Sequence, residues 1–167
     1  ILGGQLRGGV AVQTVAVSVI LAAMSGVVGG EVVLLGVIAL PQLFRLKYDR
    51  KLAIGVLTSS GALATLIPPS IVLIVYGAEA NVSIKDLFTG VVLPGILLAS
   101  LYITYVLIRV RLNPALGPVY DAPEAKLPFF QRVAHLKGLI LPFILIFGVL
   151  GSIYGGIATV TESAAIG

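Results

Sequence analysis

The chain is dominated by apolar runs of about bilayer length, and two of them are interrupted mid-way by residues that break helices. Within hydrocarbon, backbone N–H and C=O groups find no water, so spanning segments must be helices or closed barrels. Runs near the roughly 20 residues a crossing helix needs point to helices. Residues are 58% hydrophobic and 11% charged, with a mean hydropathy of +1.11, against about 25% charged in soluble domains. These features give an all-α polytopic membrane protein. Residues 10–44 form a 35-residue run, about 50 Å as a helix and too long for one ordinary crossing. The stretch SGVVGGE at 25–31 interrupts it. The second interruption is LIPPS at 66–70, inside the run from 52 to 76.

Charge orients the segments. Arg7, the cluster at 45–51 and the stretch 109–137 hold ten of the eleven Lys and Arg residues. Connectors at 78–86 and 154–161 carry one Lys between them. The positive-inside rule therefore puts the first group on the cytoplasmic side. Residues 1–44 read as a hairpin that enters from that side, turns within the membrane and returns. Residues 45–81 read as a discontinuous helix with a Pro-Pro break, and 82–112 as a transmembrane helix with Pro94 as its kink. Residues 113–135 hold four prolines up to position 130 and read as a cytoplasmic connector. A further transmembrane helix is expected at 136–156, and 157–167 begin another unit.

Several function classes recede. A single short apolar run at the N-terminus would mark a signal peptide, and this pattern differs. Cysteine is absent, so disulfide frameworks and thiolate metal sites are excluded. The net charge of +4 follows the membrane topology, which argues against nucleic acid as a partner. His135 lies in the polar connector beside Arg132 and Lys137, as a surface residue would. No span contains His or Asp, so a hydrolytic base beside a nucleophile is missing and an enzyme is not expected. The first residue is Ile, and 161–167 resemble the start of a helix; the sequence is expected to be a segment of a longer protein.

The two breaks carry the chemistry. Glycine permits the positive-φ turns of a hairpin tip, which singles out Gly26 and Gly30. Proline removes an N–H and frees carbonyls, as Pro68 and Pro69 do after Gly61. Ser25, Thr65 and Ser70 add hydroxyl oxygens at similar depth. Half-helix N-termini facing a gap favour an anion, and two breaks meeting at the midplane build ion and substrate sites in many secondary transporters. The competing reading is that these residues mark only kinks and close packing. Glu31, just past the tip, is a functional candidate because an ionisable group there is expensive. It is equally placed to cap the second half of the hairpin. Glu162, in the first turn of the last helix, reads as a cap.

The order of segments resembles the large membrane subunit of TRAP transporters, the tripartite ATP-independent periplasmic family. The matching stretches are RGGVAVQTVAVSVILAAMSG at 7–26, LPQLFRLKYDRKLAIGVLTSSGALATLIPPSIVLIVYG at 40–77, VSIKDLFTGVVLPGILLA at 82–99 and YGGIATVTESAAIG at 154–167. The resemblance implies an elevator-type ion-transporter fold with a re-entrant hairpin, discontinuous helices and an inverted repeat only partly present here. It implies sodium-coupled secondary import of an organic anion, typically a carboxylate, across the bacterial cell inner membrane. The implied partners are a small membrane subunit and a periplasmic substrate-binding protein; no cofactor is implied beyond sodium as coupling ion. By the same match, ion or substrate contacts fall to Ser25, Gly26, Gly30, Gly61, Thr65, Pro68, Pro69 and Ser70, and Glu31 joins them on its position alone, as an acid that departs from the family's tip. The sodium candidates among them are Ser25, Gly26, Gly61, Thr65 and Pro68. Two departures stand out: the family's tip is commonly richer in hydroxyls, and Val160 replaces a usual Pro. A proton-coupled transporter of another class, with Glu31 as proton carrier, is the alternative.

Overall fold

The computed structural model describes residues 8–26, 28–118, 140–157 and 162. It is helical, with no strand among the described residues. His135, Val160 and most of the connector lie outside those residues, as do 158–161 and 163–167.

Helices α1 (Gly9–Ser25) and α2 (Val28–Arg45) form a tight hairpin. Gly26 ends α1 in the left-handed region, φ 59°, and its N–H donates to the Ala22 carbonyl, the glycine C-cap that L-residues adopt poorly. The expected glycine-rich tip is shorter than its sequence suggests. Gly29 and Gly30 lie inside α2, exposed and with helical neighbours, where a Cβ would meet nothing within 4 Å. Pro41 also stands inside α2, where its missing N–H removes one ladder bond without ending the helix.

The turn from α2 to α3 (Arg50–Gly61) is fixed by its own hydrogen bonds. Tyr48 N–H donates to the Leu43 carbonyl and Lys47 N–H to Phe44, both at 3.0 Å, with Lys47 at φ 59°. This is a Schellman closure with lysine in the place that glycine usually takes. Asp49 then caps α3, accepting from Leu52 N–H at 3.0 Å.

Helix α3 gives way to a 3₁₀ turn, Ala62–Thr65, and then to irregular backbone through Ser70. Helix α4 (Ile71–Ala80) follows and ends at Asn81, φ 52°. Ser83 caps the 29-residue α5 (Ile84–Leu112), which runs through Pro94. A 3₁₀ turn, Pro114–Leu116, follows, and α6 (Ile140–Tyr154) completes the described elements.

Helix α1 sits at the centre. Its small or short residues Ala11, Val15, Ser18 and Ala22 recur at helical spacing and are buried, the pattern that lets membrane helices approach closely. Ala11, Val15 and Ala22 join Leu43 of α2, Ala53 and Val56 of α3, Leu63 and Ala64 of the break, and Val106 of α5 in one core. A second, smaller cluster joins Phe88 of α5 to Val149 and Ile153 of α6.

The outer faces are apolar. Val37 of α2, Leu93 of α5 and Phe147 of α6 are each at least 70% exposed. Only 17% of the most apolar window of α5 is buried. The core helix of a soluble protein would be mostly buried, so this exposure matches a helix facing lipid or further protein. Meanwhile Ser18, Glu31, Ser60 and Ser70 are buried. Apolar outside and polar inside is the arrangement that a bilayer favours.

Candidate functional site

The hairpin tip and the Pro-Pro break meet. A Cβ built on Gly26 would lie 2.9 Å from the Pro69 carbonyl oxygen, 3.0 Å from Ile71 N and 3.3 Å from Ser70 Cα. Gly26 is therefore required twice, by its positive φ and by backbone pressed against backbone. The end of α1 abuts the start of α4.

The break itself arises from residue chemistry. With no N–H on Pro68 or Pro69, the carbonyls of Ala64 and Thr65 lose their i+4 partners. Leu66 and Ile67 N–H groups both turn back to the Leu63 carbonyl, at 2.9 Å. The Pro68-Pro69 peptide is cis. Two carbonyls of the break address different neighbours. Pro69 O faces the hairpin tip, whereas Leu66 O faces α5, 3.0 Å from where a Cβ on Gly95 would stand. Gly95 thus lets α5 lie directly against the break, a role beyond the general helix packing that its sequence suggests.

Two buried polar side chains at these breaks have no hydrogen-bond partner among the described residues. Ser70 is fully buried at the N-cap of α4, in extended conformation (φ −115°, ψ 127°), yet its hydroxyl makes no capping bond. Serine at this position ordinarily accepts from the helix N–H groups. Glu31 lies in the first turn of α2, 1% exposed, and neither carboxylate oxygen has a hydrogen-bond partner. The capping role that its sequence position allows is not adopted. Leaving such groups unsatisfied costs about 1–3 kcal/mol each, and more for a charge. Buried polar groups are almost always paired, which makes both of them exceptions.

The other candidates are less committed. Thr65 is half-buried and donates its hydroxyl to the Ala62 carbonyl at 2.8 Å, leaving its lone pairs available. Pro68 is buried beside it. Gly61 is the last residue of α3, buried and helical at φ −61°, so the break begins just after it. Ser25 is exposed at the tip, and Gly30 lies on the exposed face of α2. Of the break, Pro69 and Ser70 are brought against the tip at Gly26; Gly30 lies on an exposed face with nothing within 4 Å of its Cβ position. Among the described residues no three His, Cys, Asp or Glu side chains cluster, so oxygen donors here are carbonyls, hydroxyls and the single Glu31 carboxylate.

A second junction, away from this contact, went unread in the sequence. Tyr48, 4% exposed, fills the space between the start of α1 and the end of α5. Its ring bounds Gly117, where a Cβ would lie 3.0 Å from Tyr48 Cε1. Burial raises the phenol above its ordinary pKa, and the backbone amides of Val10 and Ala11 pull it down. The hydroxyl faces those amides without closing a well-formed hydrogen bond. Asp49 N–H adds a bond to the Leu116 carbonyl at 3.0 Å. Both feet of the hairpin and the end of α5 are tied together at one side. The tip is tied to the break at the other.

Comparison with known proteins gives this arrangement a family. The model of the tripartite ATP-independent periplasmic transporter, DctM component, matches residues 1–167. The C4-dicarboxylate TRAP transporter large permease protein DctM of Vibrio cholerae is 38% identical over 170 residues, covering 98% of this chain and 35% of that protein. The protein of the same name from Pseudomonas aeruginosa is 36% identical over 167 residues, covering 98% and 37%. The ectoine/5-hydroxyectoine TRAP transporter large permease protein UehC of Ruegeria pomeroyi is 31% identical over 163 residues, covering 97% and 36%. The chain thus spans little more than a third of the length of these relatives. With the family model matched from end to end, the chain belongs to the DctM component, the large membrane subunit, of tripartite ATP-independent periplasmic transporters.

Proposed function

We propose that the full-length protein is the large membrane subunit of a sodium-coupled secondary transporter that imports an organic anion. The observation that carries this reading is the contact of Gly26 with Pro69 and Ser70. Two interruptions far apart in sequence converge, and each leaves a buried oxygen donor unpaired, Glu31 on one side and Ser70 on the other. Hard carbonyl and hydroxyl oxygens without formal charge suit a small monovalent cation. The residues that would hold it are Ser25, Gly26, Gly61, Thr65 and Pro68, with Pro69, Ser70 and Glu31 completing the ion and substrate half-site; Gly30, on the exposed face of α2, is left out of it. The free N-terminus of α4, where Ser70 makes no cap, favours an anionic group. The remaining half of the site belongs to the part of the protein outside this chain.

Substrate, partners and setting follow the relatives. Two carry names specifying C4-dicarboxylates and one names ectoine, so a carboxylate-bearing solute is the substrate class. A periplasmic binding protein delivers it, a small membrane subunit accompanies the large one, and the bacterial inner membrane holds both. The hairpin, the broken helix and α5 move as one body past a scaffold, in the elevator manner. A core shared by α1, α2, α3, the break and α5 supports such a rigid unit.

The second reading is proton coupling, and the unpartnered, buried Glu31 favours it. Uptake of radiolabelled C4-dicarboxylates and ectoine into proteoliposomes, with the binding protein present, separates the two. A sodium gradient alone drives accumulation in the first reading. In the second, a pH gradient drives it without sodium, and Glu31→Gln abolishes the pH dependence.

A further inference from the structure

A cleft of about 770 Å³ opens between α3 and α5, away from the contact of the two breaks. Its walls are Leu52 and Val56 of α3 and Leu98, Leu101 and Val106 of α5, with Val15 of α1 among the lining residues. At one end stand Lys51 and Arg109, beside Asp49. Asp49, whose carboxylate accepts from Leu52 N–H at 3.0 Å, opposes them, and the end keeps two cations against one anion. That end adjoins the basic connectors, with Arg45, Lys47, Arg50 and Arg111 in the flanking sequence.

The dimensions of the cleft are those of one leaflet. From Arg109 to Leu98 the eleven-residue offset along α5 is about 17 Å at 1.5 Å per residue. Half of a hydrocarbon core is about 15 Å. With its basic end on the cytoplasmic side, where the positive-inside rule puts it, the cleft would be cationic at headgroup level and apolar from there toward mid-bilayer. Tyr102 and Tyr105, amphipathic rings suited to such a boundary, line it between the two.

We propose that this cleft holds an anionic phospholipid, with its phosphate at Lys51 and Arg109 and an acyl chain along Leu52, Val56, Leu101 and Leu98. Basic pockets between helices at a membrane surface take anionic headgroups, and charge complementarity selects the lipid over a zwitterionic one. The occupied cleft would fill the wedge between α3 and α5 and brace the helix that leads into the break. This assignment stands whether sodium or protons drive transport.

The test uses full-length protein in vesicles, with any Trp elsewhere replaced, because this chain has none. Tyr105→Trp places a reporter in the cleft, and Ile96→Trp, exposed and outside the cleft lining, is the control. Phosphatidylglycerol and phosphatidylcholine with brominated acyl chains are compared as quenchers. Quenching at position 105 is expected at lower mole fractions of phosphatidylglycerol, with no preference at position 96. The preference is expected to weaken about five-fold for each cation removed in Lys51→Gln and Arg109→Gln, and to persist in Lys51→Arg with Arg109→Lys. Equal quenching by both lipids at position 105 overturns the proposal, as does a preference that the Gln variants leave unchanged. Absence of quenching by either lipid also overturns it, and assigns the cleft to the rest of the protein.

Discussion

Gly26 and Pro69 stand so close that a single added carbon on the glycine would lie 2.9 Å from the proline carbonyl oxygen. That one contact joins the hairpin to the broken helix, although 42 residues separate the two positions in sequence. It also gives the first prediction. Gly26→Ala adds the collision with Pro69 and Ile71 to a left-handed conformation that costs a non-glycine residue about 1–3 kcal/mol. Uptake falls to background while the protein still inserts in the membrane. Gly30→Ala, with no atom within 4 Å of its Cβ, leaves uptake within about two-fold, and helix propensity favours it by about 1 kcal/mol. Parallel uptake and membrane-expression assays decide both.

Ser70→Ala separates a functional hydroxyl from a structural one. The Ser70 hydroxyl is buried without a partner, so removing it relieves an unsatisfied group and leaves stability unchanged or raised by about 1 kcal/mol. Transport is expected to fall at least about ten-fold, which corresponds to a loss of about 1.4 kcal/mol in binding or transition-state free energy. Thermal unfolding and initial uptake rates, measured on the same preparation, check the pair of outcomes. A structural hydroxyl would lower both.

Gly95 reports on the other side of the break. Gly95→Ala puts a methyl 3.0 Å from the Leu66 carbonyl oxygen, tighter than ordinary contact, and pushes α5 from the break. Gly90→Ala on the same helix meets nothing within 4 Å. The first variant is expected to raise the sodium concentration for half-maximal uptake several-fold, and the second to leave it unchanged. A sodium titration of uptake rates distinguishes them.

At the opposite end, Tyr48→Ala empties the space between the start of α1 and the end of α5. A buried large-to-small aromatic change costs about 3–5 kcal/mol. Asp49→Ala removes the α3 cap at a cost of about 1 kcal/mol. Tyr48→Phe keeps the ring and is expected within about 1 kcal/mol of the parent, since the hydroxyl makes no well-formed bond. Thermal unfolding of the purified full-length protein gives the order Phe, Ala at 49, Ala at 48.

Much of this architecture is legible in the residues, because membrane constraints are strict. A 35-residue apolar run with glycines inside has to fold back, and the Pro68-Pro69 pair has to interrupt its helix. What the residues do not encode locally is which carbonyl faces which neighbour. Gly29 and Gly30 look like part of a turn, yet they continue α2, and among the described residues of the tip Gly26 supplies the left-handed conformation. Gly95 looks like any small residue on a membrane helix, and its contact with Leu66 depends on how α5 crosses the break. Tyr48 sits in a basic, polar-looking stretch and is nonetheless buried. Its partners, Val10, Val110 and Gly117, are far away in sequence.

The measurement that tests the central claim most directly is the effect of sodium on access to the hairpin tip. A single cysteine at Ser25, exposed beside Gly26, is introduced into the full-length protein after any others are replaced; this chain has none. It is labelled in membranes with a water-soluble thiol reagent, in sodium or in potassium at equal ionic strength. Labelling that slows several-fold in sodium is the predicted result, because the ion draws tip and break together. Equal labelling in the two salts would contradict a sodium site at this contact.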